Sequence, residues 1–310
     1  MTRSLIFPGQ GSQTVRMGEA LAARFPTARA VFDEVDDALG RKLSSVMWEG
    51  PDEALNLTTN AQPALMTHSV AAARVLQEEA GLDVAASAFA AGHSLGEYSA
   101  LCVAGALPLA DAARLLQLRG EAMLAAAPEG TGGMAALLGA SLEAAEAAIA
   151  GVGGEGVLEI ANDNAPGQVV VSGAKERVEA LAANARAHGI KMARVLPVSG
   201  PFHSSMMVPA AEAMRAHLAA VEITSPMIPI VSNVTARPTT DPADIKDLLV
   251  KQVTSRVRWT ESVAYMASEG VDEFIEIGTG KILAGMVRRI AKEARIVSIG
   301  DPDDLAAYSG

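Results

Sequence analysis

Residues 86–106 read ASAFAAGHSLGEYSALCVAGA, and the change of texture at Gly92 decides the fold class. Ala86 to Ala91 is a small-residue apolar run of strand length, whereas from Leu95 to Ala106 the apolar residues recur at helical spacing. Ser94 therefore falls on a strand-to-helix turn. Gly92 and Gly96 frame it as G-x-S-x-G, the pattern of a nucleophile elbow, in which the flanking glycines let the backbone fold sharply. The following helix aims its N-terminal dipole and the Leu95 N–H at the place where an oxyanion would form. Adjacent side chains diverge at so sharp a turn, so His93 is a poor partner for the serine, and a base must come from elsewhere in the chain.

Working outward, Leu5 to Phe7 is a short apolar run that stops at Pro8-Gly9-Gln10-Gly11, a buried strand ending in a glycine loop. Helices are expected over 15–39 and 62–80. From about 133 to 198 the order changes: Met134–Leu138 reads as strand, Leu142–Ala150 as helix, Val157–Ala161 and Val169–Ser172 as strands, Lys175–His188 as helix and Met192–Val198 as strand. That βαββαβ order is a ferredoxin-like unit, bracketed by Gly130-Thr131-Gly132-Gly133 and Pro197-Val198-Ser199-Gly200-Pro201. The chain is expected to divide into a large domain, 1–130 with 199–310, and a small inserted subdomain, 131–198. The large domain resumes with a helix near 206–220, a strand at 228–232, helices near 243–253 and 259–269, a strand at 273–277, a helix from Lys281 and a strand at 296–299. Strands alternating with helices predict an α/β fold with a mainly parallel sheet covered on both faces.

With 25 basic and 36 acidic residues the net charge is -11, which argues against a nucleic-acid or anionic-membrane surface. Neither partner is expected. The one cysteine, Cys102, excludes an internal disulfide and any C-x-x-C pair, pointing to a reducing, cytoplasmic setting. Neither a signal peptide nor a membrane span is expected, and no metal ligand set stands out.

Among the remaining histidines, His68, His188 and His217 fall in expected helices. His203 instead follows a strand, in Ser199-Gly200-Pro201-Phe202-His203-Ser204, where α/β folds place catalytic groups. It is the candidate general base. A third member of a triad is not marked out: Asp241, Asp244, Asp247 and Asp272 are available, and a backbone carbonyl would serve equally. Arg119 shares its helix face with Ala112, Leu115, Leu116 and Met123, so its guanidinium projects from an apolar face and needs an anion. Spacing leaves two partners open, a distant carboxylate of the fold or the carboxylate of a substrate. Two glycine loops fail their motif tests. Gly9-Gln10-Gly11 lacks the third glycine of a dinucleotide loop, and before Gly280-Lys281 the first glycine of a Walker loop is replaced by Ile275. Neither NAD nor ATP is expected.

Six stretches in order resemble the malonyl-CoA:acyl carrier protein transacylase family: Gly9-Gln10-Gly11-Ser12-Gln13, Gly92-His93-Ser94-Leu95-Gly96-Glu97-Tyr98, Arg119, Asn162 with Pro166-Gly167-Gln168, Phe202-His203-Ser204, and Gln252 with Val257-Arg258-Trp259. The resemblance spans nearly the whole chain and implies an α/β-hydrolase-like core with a ferredoxin-like insert. It implies Ser94 as nucleophile, His203 as base, and the main-chain carbonyl of Gln252 as the group orienting His203. Gln13 and the Leu95 N–H become the oxyanion donors, Arg119 the clamp on a malonyl carboxylate, and Asn162 and Phe202 substrate-binding residues. The activity implied is ping-pong transfer of malonyl from malonyl-CoA to the phosphopantetheine thiol of holo acyl carrier protein in bacterial type II fatty acid synthesis. No cofactor is implied, and a monomer is expected. Lys191 with Arg194, or Lys281 with Arg288 and Arg289, would face an acidic carrier. Pro201 and Arg256 depart from the alanine and proline frequent at these positions. A transacylase subunit of malonate decarboxylation or a free-standing polyketide acyltransferase would share the chemistry, and a serine hydrolase or thioesterase would share the elbow.

Overall fold

The computed structural model describes residues 1–128 and 130–308 of the chain. Its strands are β1 (Arg3–Phe7), β2 (Phe89–Gly92), β3 (Gly132–Leu138), β4 (Leu158–Ala165), β5 (Gln168–Ala174), β6 (Met192–Val195), β7 (Ile230–Val231), β8 (Pro238–Thr239), β9 (Glu273–Ile277) and β10 (Arg295–Ile299). The helices are α1 (Glu19–Arg24), α2 (Pro26–Leu39), α3 (Leu43–Glu49), α4 (Asp52–Asn56), α5 (Thr58–Glu79), α6 (Gly96–Val103), α7 (Leu109–Ala126), α8 (Leu142–Gly151), α9 (Lys175–Asn184), α10 (Val208–Ala219), α11 (Pro242–Gln252), α12 (Trp259–Ser268), α13 (Ile282–Ile290) and α14 (Pro302–Ala307).

One sheet has the order β10-β9-β1-β2-β7-β8, parallel throughout except for the β7–β8 pair. Side chains alternate across it as a period of two demands. Leu5 and Phe7 of β1 and Ile275 and Ile277 of β9 enter the core on one face, while Ile6 and Phe274 enter a second core on the other. Both faces are covered, as the near-continuous apolar strands foretell.

The second sheet has the order β4-β5-β3-β6 and is antiparallel, the arrangement expected of βαββαβ. Ala135, Leu137, Val169 and Val171 pack with α8 and α9 in a core of their own. The alternate residues Met134, Ala136 and Val170 face away from that core and line a cavity shared with the larger sheet.

The expected helix over 15–39 is two helices, broken at Phe25, whose position before Pro26 disfavours the helical region and whose φ of -121° is extended. The long helix begins four residues earlier than expected, at Thr58, and carries Pro63 within it. The missing N–H would orphan the Thr59 carbonyl, and the Arg41 guanidinium donates to that oxygen at 3.4 Å. Strand β6 ends at Val195 rather than at 198, and β7 keeps only Ile230 and Val231 of the strand expected over 228–232. The short elements α3, α4, α14 and β8 are too brief to show a period in sequence.

Candidate active site

Three loops leave the carboxyl ends of neighbouring parallel strands: Pro8 to Gln13 after β1, His93 to Leu95 after β2, and Ser232-Asn233 after β7. This is where open α/β sheets bind ligands. The loops meet the free face of the small sheet around a cavity of about 590 Å³, whose lining includes Gln13, Ser94, Arg119, Asn162, Phe202 and His203. Six of the eight residues singled out from sequence thus reach one cavity. Leu95 and Gln252 lie behind its wall, both buried.

The elbow has the geometry its glycines predict. Ser94 has φ 53°, in the left-handed region. A Cβ on Gly92 would sit 1.9 Å from the Gly96 backbone, and one on Gly96 would sit 2.3 Å from the Phe7 carbonyl oxygen. No side chain fits at either position, so the pattern is a packing requirement. The Gly96, Glu97 and Tyr98 N–H groups close turns onto the carbonyls of His93, Ser94 and Leu95.

The Ser94 Oγ–H donates to His203 Nε2 at 2.8 Å, and His203 Nδ1–H donates to the Gln252 carbonyl at 2.9 Å. A carbonyl can only accept, so the proton resides on Nδ1 and leaves Nε2 free to take one. Burial, with the charge of Arg119 adding to it, pushes the His203 pKa down to about 3. The imidazole is therefore neutral at ordinary pH.

None of the four aspartates touches His203. Asp241 caps α11, Asp247 pairs with Arg215, and Asp272 accepts from the Thr2 N–H. Of the alternatives left open by sequence, the backbone carbonyl is the one that meets the imidazole. His68 is buried, with Nε2 2.7 Å from the Gly300 carbonyl, and lies outside the site.

Arg119, 1% exposed, projects from α7 and makes no ion pair among the described residues. Its guanidinium donates to Gln62 Oε1 at 2.6 Å, to Gln252 Oε1 at 2.9 Å and to Ser94 Oγ at 3.2 Å. Burial lowers its pKa from the ordinary guanidinium value. Of the two partners left open by sequence, no carboxylate among the described residues pairs directly with it, and the cation rests on neutral amides beside the serine.

Gln13 is placed differently from a simple side-chain donor. Its Oε1 accepts from the Gly11 N–H at 2.7 Å and its Nε2 donates to Asn56 Oδ1 at 2.7 Å. The side chain thus braces its own loop at the cavity rim, and the main-chain N–H has no hydrogen-bond partner among the described residues. Asn162 sits at a bridge between β4 and Val257, where the small sheet meets the segment after α11.

Three site residues escape sequence reasoning. Asn233 accepts from the Ser94 N–H at 2.7 Å and donates to the Gly92 carbonyl at 2.7 Å, tying down the elbow. Gln62 holds Arg119 from α5. His93 Nε2–H donates to Asn164 Oδ1 at 2.8 Å, which fixes that ring away from Ser94. Asn233 follows an expected strand directly, and that position is the one sequence signal it offers.

Residues 4–302 match the acyl transferase domain family. The chain is 45% identical over 303 residues to the malonyl CoA-acyl carrier protein transacylase of Bacillus subtilis (strain 168), covering 97% of this chain and 94% of that protein. It superposes on a crystal structure of acyl-carrier-protein-S-malonyltransferase from Bartonella henselae with TM-score 0.96, 49% identity and coverage of 99% and 98% of the two chains. A second solved structure, a type II PKS acyl-carrier protein in complex with its malonyl-transacylase, matches with TM-score 0.95 at 39% identity, covering 99% and 98%.

The chain is thus an acyltransferase of the acyl transferase family. Within that family it belongs with the malonyl CoA-acyl carrier protein transacylases. No helix among the described residues is long and apolar enough to cross a membrane.

Proposed function

We propose that this protein transfers malonyl from malonyl-CoA to the phosphopantetheine thiol of a holo acyl carrier protein, supplying fatty acid synthesis in the cytoplasm. The observation that carries the reading is the buried Arg119 guanidinium, without an ion pair among the described residues and 3.2 Å from the Ser94 hydroxyl. A site that holds a cation so close to a nucleophile is built for an acyl group with its own anion.

In the reaction, His203 Nε2 takes the Ser94 proton while Oγ attacks the malonyl thioester carbon. The oxyanion so formed is held by the Leu95 N–H and the Gln13 main-chain N–H, and the imidazolium by the Gln252 carbonyl. Collapse breaks the C–S bond, and the proton on His203 passes to the departing coenzyme A sulfur. The carrier thiol then enters, gives its proton to His203 and attacks the ester, and the proton returns to Ser94. One thioester becomes another, so the reaction needs neither nucleotide hydrolysis nor a metal or other cofactor. The free malonyl carboxylate is gripped by Arg119, and Asn162 and Phe202 shape the wall beside it.

The small sheet, residues 131–198, acts as a subdomain that closes one side of the cavity. The carrier's acidic surface meets Lys281, Arg288 and Arg289 more readily than Lys191 and Arg194. Helix α13 supplies Ile282, Leu283 and Met286 to the cavity wall, and Arg289 reaches the Pro166 carbonyl at its rim.

Incubation with malonyl-CoA alone is expected to give a protein mass increased by one malonyl group. Addition of holo carrier should discharge it onto the carrier. An adduct that is instead released as free malonate, with the carrier unmodified, would make the protein a hydrolase.

The pH dependence follows from the His203 shift. A histidine base at its ordinary pKa of about 6.5 would lose activity tenfold per pH unit below that value. Because the pKa here is depressed to about 3, the base form persists on the acid side. The rate of malonyl loading is expected to change less than about threefold from pH 7.5 to pH 5.5, measured by rapid quench, where an unshifted base would lose about tenfold. A tenfold fall over that interval would contradict the assignment of the buried neutral imidazole as base.

A further inference from the structure

Glu97 stands one residue past the elbow's second glycine, on α6, with 3% of its surface exposed and no ion pair among the described residues. A carboxylate so buried calls for a function, and the acyl-transfer steps above do not use it. Its Oε2 accepts from Gln252 Nε2 at 2.8 Å and from the Asn233 N–H at 3.1 Å.

Both donors already hold parts of the site. Gln252 presents its main-chain carbonyl to His203 Nδ1 and its side-chain oxygen to Arg119, while its Nε2 also donates to the Ser94 carbonyl at 3.0 Å. Asn233 holds the Ser94 N–H and the Gly92 carbonyl from opposite ends of its amide.

The two ends of an amide are alike in shape and opposite in polarity, so charges around Gln252 decide which way it lies. Arg119 can only donate and must face Oε1. Glu97 accepts and must face Nε2. The reversed amide would set donor against donor on one side and oxygen against carboxylate on the other.

We propose that Glu97 is a positioning residue of the acyl-transfer site: its carboxylate fixes Gln252 and Asn233 together, and through them the carbonyl that orients His203 and the turn that presents Ser94. The inference rests on the reading of Ser94 and His203 given above. What the two donors require is an acceptor oxygen, and a neutral carboxyl or amide supplies one. Burial raises the Glu97 pKa to about 7, in keeping with a group that need not be fully charged.

The test compares malonyl and acetyl loading in wild type, Glu97→Met, Glu97→Gln, Gln252→Met and the Glu97→Met/Gln252→Met double variant. Glu97→Met removes the acceptor at similar volume, and Gln252→Met removes the amide while keeping the main-chain carbonyl. Glu97→Met is expected to lower kcat for both acyl donors about 30-fold with KM within about threefold, since it misplaces reacting groups rather than a binding contact. Glu97→Gln should recover at least about tenfold of that loss. In the Gln252→Met background Glu97→Met should cost at least about fivefold less than alone, because the two act through one amide.

Full additivity, or a folded Glu97→Met with wild-type kcat, overturns the proposal. Wild type is the control that separates the two levels. If wild type does not load malonyl, the acyl-transfer reading fails; if it loads and the cycle is additive, only the positioning role fails.

A second measurement needs no apolar variant. The His203 Nδ1–H proton resonance, followed between about pH 6 and pH 8, should shift in wild type as Glu97 changes protonation and stay fixed in Glu97→Gln. Of the other groups facing this network, Tyr98 on α6 is raised to about 12, His203 is lowered to about 3, His93 is also lowered by burial, and Arg119 on α7 remains a cation. A resonance that shifts over this interval by the same amount in Glu97→Gln as in wild type overturns the proposal.

Discussion

Ser94→Ala is expected to abolish the malonyl adduct and to lower transfer to the carrier by at least about 10⁴-fold, the scale on which removal of a nucleophile from a coupled set acts. The loss is large because the remaining groups have nothing to act on. His203 Nε2 loses the hydroxyl at 2.8 Å that it would deprotonate, and the oxyanion donors have no tetrahedral carbon to serve. Two-step transfer through an ester cannot then occur, and direct attack by the carrier thiol would need two arms, one thioester and one thiol, together in a cavity of about 590 Å³. The fold should be little disturbed. Alanine meets the same left-handed penalty as serine at φ 53°, and the elbow is held by the Ser94 N–H through Asn233, which the substitution keeps. Intact-mass spectrometry after exposure to malonyl-CoA is the measurement. A stable malonyl adduct on the variant would remove Ser94 from the mechanism.

The elbow was legible because its requirement is local: two glycines without room for a Cβ and a serine between a strand and a helix. His203 was singled out as following a strand over 192–198; that strand is β6, which ends at Val195 in the antiparallel small sheet, eight positions before His203. The βαββαβ order was readable because alternation and helical period change cleanly at each element. What escaped is carried by contacts distant in sequence. Gln62 and Arg119 are 57 residues apart, Asn233 and Ser94 139, and no spacing rule connects such pairs. Gln252 shows a further limit. The group it presents to His203 is a main-chain carbonyl, which every residue has, so only the resemblance pointed to it. Gln13 was expected as an oxyanion donor; it lines the cavity, and its side chain braces Gly11 and Asn56, which no local pattern announces.

Arg119→Ala is expected to lower the ratio of malonyl to acetyl kcat/KM by about 100-fold or more, with acetyl loading changed less than about tenfold. The direction follows from the guanidinium's surroundings. Three of its N–H donors are engaged by Gln62, Gln252 and Ser94, and Nε lies buried without a partner. Planar donors held by two amides at fixed distances cannot swing away to solvent, so the cation waits in one orientation for an anion beside the nucleophile. Removing one member of a desolvated charge pair costs about 2–5 kcal/mol, and only the acyl group with a free carboxylate forms that pair. Acetyl retains the serine, the base and the oxyanion donors and so loses little. Arg119→Lys should restore less than a tenth of the lost preference, because a single ammonium cannot bond Gln62, Gln252 and a carboxylate in one plane. Competition between malonyl-CoA and acetyl-CoA, read by the mass of the acyl-enzyme, measures the ratio directly. A ratio unchanged in Arg119→Ala would mean that malonyl is chosen elsewhere in the cavity, and the guanidinium would then serve only to hold Gln62 and Gln252 in place.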